Sequence, residues 1–194
     1  MLELAVFPLR AVLFPGGILP LKIFEQRYLD MTKVCIRDQV PFGVCLIRDG
    51  AEVGAPALPY ATGCTARIAN WDMPHLGLFE LICHGERVLR ILEHWTSRNG
   101  LVHARVDLYE PPAPLTLPGE YATLSELLAK IVDKFGAERF PEPVQLGDAD
   151  WVACRLAEIL PVELEFKQKI LELNAPLERL ALLSEFLSSR TVVI

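Results

Sequence analysis

Between Pro111 and Pro118 the chain places four prolines in eight residues, Pro111, Pro112, Pro114 and Pro118, closed by Gly119. No regular element survives that density. Each proline fixes its own φ, lacks an N–H, and pushes the preceding residue into extended backbone. The segment 111–119 therefore reads as a linker, and the residues on its two sides follow different periodicities. At 194 residues the length allows one domain with a modest extension. A hydrophobic share of 52% against 23% charged residues is that of a globular chain and excludes a disordered one.

Residues 1–110 read as strands. Six segments are rich in aliphatic and β-branched residues: Leu2 to Leu9, Ile18 to Ile23, Phe42 to Arg48, Ala61 to Trp71, Phe79 to His94 and Leu101 to Tyr109. Gly50, Gly54, Gly63, Gly77, Gly85 and Gly100 punctuate them. In the last segment Val102, Ala104, Val106 and Leu108 share one face, and His103, Arg105, Asp107 and Tyr109 the other. Only Phe24, Tyr28, Met31 and Cys35 have helical spacing, which predicts a small helix plugged against the sheet through Phe24, Tyr28 and Met31. Short strands with one small helix predict a compact β-barrel or curled sheet.

Residues 120–190 read as a helical bundle. Leu124, Leu127, Leu128, Ile131, Val132 and Phe135 form an apolar stripe stopped by Gly136. Asp148 is the expected N-cap of a helix that runs to Leu160 and ends at Pro161. Phe166, Ile170 and Leu173 share the face of a third helix, and Asn174 with Pro176 opens a fourth. The fold class expected from the two halves is α+β.

Charge and spacing exclude several functions. The net charge is −6, nearly all of it beyond the linker: eleven basic against twelve acidic residues precede it, and eight against thirteen follow. Nucleic-acid binding through phosphate neutralisation needs a clustered basic surface, so it is disfavoured. The five cysteines, Cys35, Cys45, Cys64, Cys83 and Cys154, have no C-x-x-C spacing and lie in apolar stretches, as reduced core thiols do. The four histidines form no H-x-x-x-H pair, so no metal is expected. Neither G-x-x-x-x-G-K-[ST] nor G-x-S-x-G occurs. Cys83 and His84 are strand neighbours and so face opposite ways, which removes them as nucleophile and base. No cofactor and no catalytic residue is expected. The apolar run from Leu4 to Phe24 is broken by Arg10, Lys22 and three prolines, so neither a membrane span nor a signal peptide is read there, and a cytoplasmic location is expected.

The opening FPLRAVLFPGGILPLKIFEQRYLDM, Phe7 to Met31, resembles the start of the Lon protease N-terminal domain, the LON substrate-binding domain. FGVCLIRDGAEVG from Phe42, YATGCTARIANWD from Tyr60, FELICHGERVLRIL from Phe79, GLVHARVDLYE from Gly100 and LNAPLERLALLSEFL from Leu173 agree with it. The resemblance implies a PUA-like β-barrel followed by helices, as in the standalone bacterial members. It brings no catalytic motif, since the nucleotide loop and the Ser-Lys peptidase motif of complete Lon proteases are missing from these residues. The motif positions Pro8, Arg10, Pro15, Gly16, Pro20, Phe24, Glu25, Arg27 and Tyr28 read as structural, with Arg10 and Arg27 either surface charges or partners of buried carboxylates.

The expected function is a non-enzymatic protein- or peptide-binding module, an adaptor of protein quality control whose partners are unfolded or specific protein substrates. The loop Trp71 to Leu78 carries Trp71, Met73, Leu76 and Leu78 where a hairpin connection normally has small polar residues, and an exposed apolar cluster marks an interaction surface. RNA binding, or a small-molecule or hydrolytic activity around Cys64, Cys83 and His84, is the alternative. The sequence leaves the oligomeric state open.

Overall fold

The computed structural model describes residues 1–189; Arg190, the last residue of the expected helical segment, lies outside them. Two compact units meet at Pro111 and Pro112. The first contains β1 (Leu2–Leu9), β2 (Ile18–Ile23), α1 (Gln26–Asp38), β3 (Phe42–Asp49), β4 (Leu58–His75), β5 (Leu78–Thr96) and β6 (Val102–Leu108). The second contains α2 (Ala122–Phe135), α3 (Ala149–Ile159), α4 (Leu164–Glu172) and α5 (Pro176–Ser189). The class is α+β.

The sheet runs β2-β5-β4-β3-β1-β6, and a further pairing of β5 with β6 returns it on itself. β5 can serve both ends because it is 19 residues long. Its first part, Phe79 to His84, pairs with β2, and its last part, Leu89 to Thr96, with β6. Strands of that length must bend to follow a closed sheet, and β4 does so through three breaks of register. Only β1 and β3 pair in parallel. The buried side chains form two clusters on opposite faces of the sheet, one around Phe7, Tyr28, Phe42 and Leu81, the other around Leu4, Val6, Leu89 and Val106.

The turn before β2 is stitched to β5. Gly16, at φ 74°, donates its N–H to the Gly85 carbonyl at 2.8 Å, and the Gly85 N–H returns to the Gly17 carbonyl at 2.9 Å. A Cβ on Gly85 would lie 2.2 Å from the Phe14 carbonyl oxygen, so only glycine permits this approach.

Three expectations change. Phe24 is 58% exposed and precedes α1; the helix plugs the sheet through Tyr28, Met31 and Cys35 instead. Phe24 stands two residues before the first helical residue, outside the N-cap Glu25, so a periodicity count begun there overextends the helix by two residues. The strands ending at Trp71 and starting at Phe79 continue to His75 and from Leu78. The first of these extensions brings His75 onto β4, while His84, His94 and His103 lie on the strands expected to hold them.

In the second unit α3 is central, with Ala149, Val152, Ala153, Leu156 and Ala157 buried. Asp148 caps it by accepting the Trp151 N–H at 2.8 Å. The segment before α2 is not idle: Leu117 donates to the Gly147 carbonyl and Ala149 to the Leu115 carbonyl, each at 2.8 Å. Prolines at 112, 114 and 118 leave these few N–H and C=O groups available for pairing.

Candidate functional site

The residues from Trp71 to Leu78 form the tip of a two-stranded arm rather than a loop. His75 pairs with Leu78, Asp72 with Glu80 and Trp71 with Leu81. Gly77, at φ 84°, supplies the positive φ that a two-residue reversal needs. Pro74 would ordinarily end a strand, but it falls in the register break between Asp72 and His75, where no ladder bond is required of it. That break is why the sequence pattern stops four residues early, at Trp71 rather than His75.

The arm holds apolar side chains in solvent. Leu76 is 98% exposed, Trp71 49% and Met73 45%, while Leu78 is half-buried at the base of the turn. Trp71 is not loose: its ring packs edge-to-face on Phe79, with centroids 5.8 Å apart. Beside it lies a cavity of about 470 Å³ lined by Pro20, Lys22, Trp71, Asp72, Glu80 and Ile82. An anchored aromatic next to two exposed apolar side chains and a cavity can take up apolar groups of a partner.

The motif residues lie at both ends of β2: Pro15 and Gly16 precede it, and Glu25, Arg27 and Tyr28 follow Ile23, the end that pairs with Phe79. Pro8 is buried in β1, and Pro15 and Gly16 form the stitched turn. Arg10 is exposed; its backbone N–H meets Glu52 and its guanidinium donates to the Gly50 carbonyl at 3.3 Å. Arg27 is buried, donating to Glu25 at 3.0 Å and to the Gly100 carbonyl at 3.1 Å, with its guanidinium 4.6 Å over the Tyr28 ring. Tyr28 in turn stacks on Phe7 at 4.0 Å. Burial is the main cause that pushes the Tyr28 hydroxyl above its ordinary pKa of 10.0, so it stays protonated and uncharged there. A cavity of about 290 Å³ opens among Leu19, Pro20, Phe24, Glu25, Tyr28 and Glu52. Of the two readings open for the arginines, Arg10 is the surface charge and Arg27 the carboxylate partner.

The thiols face inward. All five cysteines are free and buried. Burial pushes Cys83 up to about 12 and Cys45 and Cys154 likewise to about 12, with Cys35 reaching about 11. A thiol held that high is not a thiolate at neutral pH and is a poor nucleophile. His84 is exposed on the other face from Cys83, so the two stay apart. Among the described residues no three His, Cys, Asp or Glu side chains converge on a metal position, and no helix is long and apolar enough to cross a membrane.

Three arginines of the sheet are paired with carboxylates: Arg67 with Glu86, Arg87 with Glu110 and Arg105 with Glu93. Sequence reasoning missed one more feature, an apolar groove of about 700 Å³ between β1, α1 and the turn before β6, walled by Leu4, Met31, Val34, Val40 and Leu101. Helical periodicity could have flagged Val34, which lies off the buried stripe of α1 and is 42% exposed.

A closed sheet with a stitched proline-glycine turn, a plugging helix and a following set of helices defines the class. The chain belongs to the ATP-dependent protease La (LON) substrate-binding domain family, whose sequence model matches residues 3–189. Among solved structures it is similar to the Lon N-terminal domain protein from Xanthomonas campestris, 33% identical with a TM-score of 0.82, covering 96% of this chain and 99% of that one. The N-terminal domain of the Mycobacterium avium complex Lon protease shares the fold at a TM-score of 0.63 and 16% identity, covering 97% of this chain and 99% of that one. Curated relatives include the Lon protease of Anaeromyxobacter dehalogenans, 25% identical over 98% of this chain, and Lon protease 2 of Myxococcus xanthus, 26% identical over 98%. The chain spans about a quarter of their length, 24% in each case. What these residues contain is the substrate-binding domain; no catalytic domain is among them.

Proposed function

We propose that this chain is a non-enzymatic protein- or peptide-binding module, an adaptor of protein quality control that takes unfolded or specific protein substrates on the β4–β5 arm. One observation carries the reading: Trp71, Met73 and Leu76 are held in solvent on a paired, structured arm. Exposed apolar area costs about 25 cal/mol per Å², so a fold that extends it beyond its own core gains by covering it with a partner. Membership of a substrate-binding family supports the same reading. The pairing of these three arginines with carboxylates weighs against the RNA alternative, and the inward, protonated thiols weigh against a hydrolase. Pro8, Pro15, Gly16, Arg27 and Tyr28 we assign to the scaffold.

The test replaces Trp71, Met73 and Leu76 together by Ser and titrates fluorescein-labelled, reduced and carboxamidomethylated lactalbumin by anisotropy. At about 1 kcal/mol for each lost apolar contact, the affinity falls on the order of a hundredfold, while the variant still unfolds cooperatively with a midpoint lowered only by loss of the Trp71–Phe79 contact. Unchanged affinity in a folded variant removes the arm from the binding surface.

A further inference from the structure

Resting on that protein-binding reading, we propose that β2 receives an extended segment of the partner as an added strand, and that this segment alternates apolar with basic residues. β2 pairs with β5 alone, and beyond that ladder no backbone group of residues 18–23 hydrogen-bonds to another described residue. An edge of this kind is a template for strand addition, in which main-chain bonds supply affinity and flanking pockets supply selection.

Pro20 decides which groups are free. Its nitrogen carries no hydrogen, so it belongs at a position turned away from the ladder. Alternate residues of an antiparallel strand share that orientation. The N–H and C=O of Ile18 and Lys22, with the C=O of Pro20, therefore face the open edge.

The two cavities described above share Pro20, Leu21 and Lys22 and so flank the strand. No residue of β4 or β5 lines the one that holds Glu52, whereas the other lies over those two strands and holds Asp72. Successive side chains of an added strand point to opposite faces and can reach both. Ile18 and Ile82, each 38% exposed, offer apolar contact on the way.

Charge selects the occupant. Lys22 is the only basic residue lining either cavity, and Glu80 already holds it at 3.0 Å. Glu25 is held by Arg27. Glu52 and Asp72 accept only backbone N–H groups, from Arg10 and Met73, and neither has an ion-pair partner among the described residues. Each cavity thus keeps one carboxylate without a counter-charge, and a basic side chain on the incoming strand supplies it.

The probe is a fluorescein-labelled peptide of about ten residues with alternating Lys and Val, compared with its Glu–Val counterpart and with the lactalbumin probe. Lys–Val should bind at least about tenfold tighter than Glu–Val, with the gap closing as salt rises. Saturation with Lys–Val should slow amide hydrogen exchange at Ile18 and Lys22, and leave Met73 unchanged. Lys22→Pro, which removes an outward N–H, should bind roughly fivefold more weakly than Lys22→Ala, which removes the charge alone. Unchanged exchange at Ile18 and Lys22 in the wild-type protein overturns strand addition whether or not the proline variant folds. Equal binding of the two peptides overturns the charge selection. Binding of lactalbumin without binding of Lys–Val sinks this inference and leaves the broader reading standing; failure of both probes sinks the two together.

Discussion

Asp150→Ala should cost the helical unit about 3–5 kcal/mol, which approaches the whole stability of a small domain. The reason is Arg179. That side chain is only 2% exposed, deep between α3 and α5, and Asp150 supplies its counter-charge. Its Nε donates to the Leu173 carbonyl at 2.8 Å and Nη1 also reaches the Cys154 sulfur at 3.4 Å, neither of which carries a negative charge at neutral pH. Truncating the carboxylate leaves a guanidinium out of water and uncompensated, and arginine cannot relieve this by losing its proton. Replacing both partners by apolar residues of similar size, Asp150→Leu with Arg179→Met, removes the charge altogether and should cost much less than either single change. Urea unfolding followed by far-ultraviolet circular dichroism measures both. A single-variant loss under about 1 kcal/mol, or strictly additive losses, would contradict the role given to the pair.

Gly85→Ala should destabilise the strand unit by about 3 kcal/mol or more, although it adds a single methyl group. The methyl would sit 2.2 Å from the Phe14 carbonyl oxygen and 3.1 Å from a Leu13 side-chain carbon. The oxygen accepts the Gly17 N–H at 2.9 Å, in a turn tied to β5 by the Gly16–Gly85 and Gly85–Gly17 bonds, so it cannot retreat without disturbing them. Gly54→Ala is the matched control: nothing lies within 4 Å of its added Cβ, and its cost is confined to the positive φ of 98°. Chemical unfolding of the two variants should therefore separate by about 2 kcal/mol. Equal losses would mean that the turn and β5 yield more readily than the bond pattern indicates.

Much of this architecture was legible because local chemistry and tertiary demand agreed. Leu2–Leu9 and Ile18–Ile23 are the segments read from the chain, and Asp148 caps α3 as its position before an apolar stripe implies. Where reading failed, a long-range arrangement overrode a local rule. Pro74 marks the end of a strand in isolation, yet a register break accommodates it, so Trp71 to Leu78 form an arm and not a loop. Phe24 fits the α1 periodicity but precedes the helix, and it lines the cavity next to Glu52. Asp150 lies in the first turn of α3, where an acidic residue is favoured by the helix alone; its partner lies 29 residues away, and no spacing rule connects them. The open edge of β2 follows only from the strand order, although Pro20 already restricts that strand to an edge or bulge.

The central claim is that the arm captures non-native or extended protein. The most direct measurement places the photocrosslinker benzoylphenylalanine at position 76, where Leu76 is 98% exposed, and at position 135, where Phe135 is 49% exposed on α2. Each variant is irradiated with reduced, carboxamidomethylated lactalbumin. The account predicts crosslinks at position 76, competed away by excess probe, and background labelling at position 135. Equal labelling at both positions, or none at position 76, would contradict it.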